Sequence, residues 1–343
     1  MNGAAPTVSV LLPVRDGAAT LAQALASIAA QTLADHEVVA VDDGSTDETP
    51  AILRTAAAAD PRIRVVTTAP SGIAAALREG LALCRAPLVA RADADDLSHP
   101  ERLAEQARFL DARPEIELCG THVEILGLGD EAAGRGMTRH AAWLDGIREP
   151  SDVARELWVE CPILHPTFCF RRETVSQLGG YRSGPFPEDY ELVLRLAEAG
   201  RGMANVARRL VVWRDWPRRA SRRLDAYSRP AFFRLKAEAL ARGRLAGRPA
   251  IVWGAGKVGR FLSRELLARG AEVTAFVDID PKKHGRTVRG RTVIPPDALG
   301  SALLATPTPL VIGAVGSLGA RELIRAALTA QGLREPIDFV MAA

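Results

Sequence analysis

Lysine is almost missing from this 343-residue chain: it occurs only as Lys236, Lys257, Lys282 and Lys283, and arginine supplies the remaining basic side chains. The net charge is a mild +3, too weak a field to mark a nucleic-acid binder. Aromatic residues are scarce at 5%, so aliphatic side chains and alanine must fill the cores. Four cysteines, Cys84, Cys119, Cys161 and Cys169, stand apart without a CxxC pair. That spacing argues against a cysteine metal site and fits free thiols in a reducing cytosol. No stretch reaches the roughly 18 apolar residues of a membrane-spanning helix. The opening MNGAAPTVSVLLPVRDG lacks the basic start and long apolar core of a signal peptide. The expectation is a cytoplasmic chain that touches a membrane at most peripherally.

What is present is ordered alternation. Apolar runs at Thr7–Val14, HEVVAVDD, RIRVVTT and APLVARAD read as strands. Helical patterns separate them at Ala18–Gln31, with Leu21, Leu25 and Ile28 on one face, at Thr49–Ala59 and at Ile73–Leu83. Such alternation predicts an α/β fold with a mainly parallel sheet, whose ligands bind beyond the carboxyl ends of the strands. From Asp111 to Ala204 the pattern loosens, with glycine- and proline-rich loops at GLGDEAAGRGM and YRSGPFPED and a helix at Asp189–Ala199. The division expected is 1–215 for a first domain, 216–248 for an arginine-rich helical connector and 249–343 for a small Rossmann-like domain.

The segment VARADADDLSHPERL places Asp93, Asp95 and Asp96 behind the fourth strand. No lysine or arginine within the loop is expected at pairing distance, so the three charges need another neutralising partner. Helix capping is assigned elsewhere: Ser98-His99-Pro100-Glu101 fits a capping box. Carboxylate oxygens are preferred ligands of Mg²⁺ and Mn²⁺, so a divalent cation bound there is weighed against a solvated acidic loop. VAVDDGSTDETP sets Asp42 and Asp43 at another strand end, where an acid can accept hydrogen bonds from a ribose or base. In PFPEDYELVLRL, Glu188 and Asp189 open a helix, where carboxylates favour the helix dipole whatever else they do.

Taken in order and spacing, LLPVRDG, VDDGSTDETP, ARADADDLSHPERL and FPEDYELVLRL resemble the family-2 glycosyltransferases with a GT-A (nucleotide-diphospho-sugar transferase) fold, over about residues 7–215. The resemblance implies that Pro13 lines the nucleotide pocket, Asp43 contacts the base and Asp93 the ribose–diphosphate region. It implies that Asp95 binds the metal with Asp96 as helper, and that Asp189, beside Glu188, is the general base. The implied reaction is metal-dependent, inverting transfer from a nucleoside-diphosphate sugar to a glycan or lipid-linked acceptor in surface polysaccharide synthesis. Nothing matches the membrane helices or QxxRW signature of processive synthases. The chain departs from many relatives at Val14-Arg15-Asp16 and Ala76-Leu77-Arg78-Glu79. Arg78 either reaches a phosphate or lies on a solvated helix face. His165, Trp213 and Arg214 either face the acceptor or serve local structure.

In the C-terminal stretch, Gly254, Gly256 and Gly259 form a GxGxxG turn between strand and helix, and Asp278 ends the next strand. Dinucleotide folds place a ribose-binding acid there. The pattern leaves open an NAD site, a regulatory or docking role, or a remnant. Two other functions compete with sugar transfer: an NAD-dependent sugar-nucleotide oxidoreductase and a non-catalytic nucleotide-sugar sensor. The arginine-rich connector is read as a solvated linker or a contact for anionic lipid.

Overall fold

Val8–Val14 (β1) and His36–Asp42 (β2) are buried along their whole lengths, as strands covered on both faces must be. The computed structural model describes residues 5–127, 131–215 and 224–343. The chain divides into two compact units. The first comprises Met1–Val153, Pro162–Gly184 and Glu188–Arg222; the second comprises Ala154–Cys161, Pro185–Pro187 and Arg223–Ala343.

In the first unit β1 pairs in parallel with β2 and with Leu88–Arg91 (β4), and β2 pairs in parallel with Ile63–Thr67 (β3). The helices expected at Thr49–Ala59 and Ile73–Leu83 occupy those bounds. The first helix is shorter than expected, Leu21–Ala29, and buries Leu21, Leu25 and Ile28. Leu97–Ser98 (β5), Ile116–Gly127 (β6), Cys169–Arg171 (β7) and Gly202–Asp215 (β8) complete the sheet, in the order β3-β2-β1-β4-β7-β6-β8-β5. β6 and β8 also pair in parallel, and short antiparallel β4–β7, β6–β7 and β5–β8 pairs make the sheet mixed while it stays mainly parallel, as expected. Pro13 lies beyond the last β1–β4 pair, Leu11 with Arg91, so its missing N–H breaks no ladder on that side.

Two local expectations fail. Ser98 is not a helix cap: it belongs to β5, pairs with Val211 of β8, and the next helix begins at Arg102 without a side-chain cap. A partner 113 residues away in sequence outweighs the local capping signal. The GLGDEAAGRGM segment is mostly helix, Glu131–Asp145, because alanine and long polar side chains outweigh its glycines. Residues 128–130 of that segment lie outside the described residues.

The second unit holds Ala250–Trp253 (β9), Val273–Val277 (β10), Thr287–Val288 (β11), Arg291–Ile294 (β12), Leu310–Gly313 (β13) and Phe339–Met341 (β14). Their order is β11-β12-β10-β9-β13-β14, all parallel except the β11–β12 hairpin. Of the basic stretch expected as a connector, residues 216–223 lie outside the described residues. Its helix, Arg229–Arg242, is capped by Ser228 and buries Phe233, Leu235 and Leu240 in the second unit. Among the described residues no helix is long and apolar enough to cross a membrane.

That helix also buries Lys236, whose Nζ donates to the carbonyls of Val159 at 2.5 Å and Ala342 at 3.1 Å. Burial pulls its pKa from 10.5 down to about 7. Between those values the unfolded chain holds a proton that the folded chain has released, so this group makes stability rise with pH across the window. Lys236→Met is expected to flatten the rise in thermal stability from pH 7 to pH 10, read as the difference between variant and parent melting curves.

Candidate active site

Loops after β1 and β2 are stapled together by their own hydroxyls and acids. Ser45 Oγ accepts the Asp16 N–H at 2.9 Å, Thr49 Oγ1 the Gly17 N–H at 2.8 Å and Asp47 the Ala18 N–H at 3.0 Å. The two aspartates ending β2 are separated by hydrogen bonding. Asp42 accepts the Ser45 N–H at 3.0 Å, and its other oxygen is buried without a hydrogen-bond partner among the described residues. Asp43 accepts the N–H groups of Ser71 and Gly72 at 2.7 and 2.9 Å and the Ser71 hydroxyl at 3.0 Å. Arg15 approaches Asp43 to 3.9 Å. Asp43 therefore fixes the start of helix Ile73–Leu83 as well as standing at a strand end. Arg78 is exposed on that helix, 3.5 Å from Ser183 Oγ.

Asp93, Asp95 and Asp96 each bring a carboxylate oxygen within 4.8 Å of the others. The expectation that no basic side chain in the segment could pair with them is wrong. Arg91, the last residue of β4, forms an ion pair with Asp93 while its own side chain is 2% exposed. Burial opposes the charge on Arg91, but the negative charge of Asp93 overrides it and holds the guanidinium above its ordinary pKa. Arg91 is missed in sequence because it reads as part of an apolar strand; a charged residue inside such a run is the available signal. Arg102, also buried, fixes this strand end by donating to the Arg91 carbonyl at 2.6 Å, to Ser98 Oγ at 3.1 Å and to Gln106 at 3.0 Å. Asp96 accepts the N–H of Arg214 at 2.8 Å, and the Arg214 side chain donates to Gln23. Trp213 lies against His140, ring centroids 6.2 Å apart. Three carboxylates this close, two already aimed by Arg91 and Arg214, suit a hard divalent cation whose remaining ligands are phosphate and water.

Glu188 and Asp189 occupy the first turn of helix Glu188–Glu198. His165 stands between Glu188 and Tyr181, its Nδ1 3.4 Å from Glu188 Oε1 and its Nε2 3.2 Å from the Tyr181 hydroxyl. Asp189 accepts the N–H of Tyr190 at 2.7 Å. Burial and the neighbouring Glu188 push Asp189 up to about 6, against the opposing pull of His165, the Tyr190 N–H and Arg91. A carboxylate so tuned is ionised at neutral pH and still basic enough to take a proton. Pro13, Asp43, Arg78, Asp93, Asp95, Asp96, Glu188 and Asp189 all belong to the first unit.

In the second unit a side chain at Gly259 would meet the Gly254 carbonyl at 1.8 Å, so this glycine serves close approach of helix to strand. Gly254 has φ 124°, and Gly256 precedes helix Lys257–Leu267. Asp278 is buried and engaged: it accepts the Ala255 N–H and the Lys283 ammonium, both at 2.9 Å.

Residues 9–179 match the family described as glycosyl transferase family 2. EpsE of Bacillus subtilis (strain 168) is 33% identical over 200 residues, 57% of this chain and 68% of its own length. The amylovoran biosynthesis glycosyltransferase AmsE of Erwinia amylovora is 31% identical over 54% of this chain and 67% of its own. The O-antigen biosynthesis protein RfbC of Myxococcus xanthus is 35% identical over 59% of this chain, a stretch that spans only 15% of RfbC. The structure of S. aureus TarS 1-349 in complex with UDP-GlcNAc aligns with a TM-score of 0.56 and 19% identity, over 77% of this chain and 72% of that one; this likeness is one of fold.

Replacing Glu188 tests the electrostatics directly. Glu188→Gln removes the adjacent negative charge and is expected to lower the Asp189 pKa from about 6 toward its ordinary 3.8, read by carboxyl NMR titration.

Proposed function

The chain belongs to glycosyl transferase family 2, and we propose that this glycosyltransferase moves a sugar from a nucleoside diphosphate to an acceptor hydroxyl with inversion at the anomeric carbon. The observation that carries the reading is the three-carboxylate cluster at the end of β4, in one unit with an aspartate lifted to about 6. Relatives named for O-antigen and amylovoran biosynthesis support a place in surface polysaccharide assembly. A glycan or lipid-linked acceptor, met in the cytoplasm or by peripheral contact with a membrane, fits that reading.

Departure of a nucleoside diphosphate leaves negative charge on the diphosphate. Asp95, with Asp96, would hold Mn²⁺ or Mg²⁺, which supplies Lewis-acid stabilisation of that charge when bound. Asp93 orients the ribose–diphosphate region, Pro13 and Asp43 border the nucleoside, and Arg78 contributes a cation toward a phosphate. Asp189 removes the proton of the incoming hydroxyl, and Glu188 raises its basicity. One displacement inverts the anomeric centre and needs no covalent intermediate.

We read the second unit as Rossmann-like, from its parallel order β12-β10-β9-β13-β14 and its Gly254-x-Gly256-x-x-Gly259 turn. A regulatory or docking role suits it better than NAD chemistry. The carboxylate of Asp278 that would hold a ribose is already bound to Lys283 and the Ala255 N–H. An NAD-dependent oxidoreductase would also leave the Asp93–Asp96 cluster without a task. A nucleotide-sugar sensor would bind donor without turnover.

Nucleotide release from UDP-, GDP- and dTDP-sugars is expected for one donor class with Mn²⁺ or Mg²⁺, and not in EDTA. Asp95→Asn should weaken metal-dependent nucleotide binding in calorimetry. Asp189→Asn should keep that binding and lose about 10²–10⁴-fold in turnover, the usual contribution of a general base. Binding without release by any acceptor-supplied enzyme would point to the sensor, and NADH binding in fluorescence titration would restore the oxidoreductase.

A further inference from the structure

Arg91 is held more firmly than an ion-pair partner needs. Its backbone N–H donates to the Phe168 carbonyl at 2.8 Å, and its own carbonyl receives Arg102 at 2.6 Å. Strand β4 is paired with β1 on one side and β7 on the other. The guanidinium is thus fixed by the sheet, with almost no access to water. A buried cation in such a place costs several kcal/mol unless acids surround it. Here they do: Asp93 is in direct contact, and Tyr181 and Glu188 both favour its charge. The route from Arg91 to the acidic pair is short. Phe168, which takes the Arg91 N–H, packs against His165 with ring centroids 5.0 Å apart, and His165 faces Glu188.

We propose that Arg91 is a positioning residue that joins the donor side of the site to its acid–base side, aiming Asp93 with its guanidinium and lending one buried positive charge to the Glu188–Asp189 pair. The inference rests on the assignment of Asp189 as base. The charged and polar groups whose fields act on Asp189 are Glu188 and the Tyr190 N–H on its own helix, His165 in the turn His165–Thr167, Tyr181, and Arg91 on β4. Of these only Arg91 carries a positive charge that no pH near neutrality removes. Arginine suits the task where lysine would not, because its planar fork can engage one carboxylate while the remaining N–H groups face another direction.

The test is kcat/KM against pH with the metal-loaded full chain, together with the donor KM. Arg91→Met should move the acid limb upward from about pH 6 by roughly one unit and raise the donor KM about 10-fold. Arg91→Lys should leave the limb in place and raise only the donor KM. A purely structural Arg91 would lower the active fraction without moving the limb, which overturns the inference. If Arg91→Met does not fold, Asp93→Asn decides: it frees the Arg91 charge toward Glu188 and Asp189 and should lower the limb, and an unmoved limb refutes the coupling. Asp189→Asn separates the two claims. Turnover retained in Asp189→Asn sinks the base assignment itself, whereas a dead Asp189→Asn with limbs indifferent to Arg91 and Asp93 sinks the coupling alone.

Discussion

Carboxylate crowding at the ends of β2 and β4 is the constraint around which the first unit is arranged. Asp42, Asp43, Asp93, Asp95 and Asp96 stand on two short stretches, and their mutual repulsion must be offset before any ligand arrives. The chain solves this mostly with backbone. Ser45, Ser71, Gly72 and Arg214 turn main-chain N–H groups onto Asp42, Asp43 and Asp96. Asp93 receives a full buried charge, from Arg91. Backbone N–H groups offset negative charge without adding a side chain beside the carboxylates.

Arginine and lysine divide the molecule's buried cations in a way their chemistry explains. Arg91 and Arg102 stay protonated inside the first unit and hold several acceptors at once. Lys236, in the second unit, donates to two carbonyls, and burial lowers its pKa to about 7. In the same unit, Lys283 closes Asp278 against the glycine turn. The sequence pattern of a ribose-binding acid is present there, and one of its carboxylate oxygens accepts the Ala255 N–H and the Lys283 ammonium.

The parts legible in the sequence were those set by local periodicity. The helices at Thr49–Ala59 and Ile73–Leu83, and the buried strands before Asp42 and Asp93, follow from neighbours within a dozen residues. What escaped depends on partners far along the chain. Ser98 fits a capping box by spacing, yet pairing with Val211 draws it into a strand. Arg91 lies two positions from Asp93 but belongs to the strand that feeds the loop, so the loop's own residues give no sign of it. Tyr181 gives no sequence signal at all; its place beside His165 comes from the packing of a turn against a loop.

The bond from the Arg214 N–H to Asp96 spans 118 positions. Strand β8, which also pairs with β5 directly behind the aspartates, is the last strand of the first unit. On a ribosome the acidic loop therefore emerges long before the strand that secures it. The nascent chain can form the β1–β4 sheet early, but its cluster of negative charge acquires its final shape only when residues beyond 210 have left the exit tunnel. Order of synthesis thus leaves the acidic loop without this anchor until the last described strand of its own unit has been made.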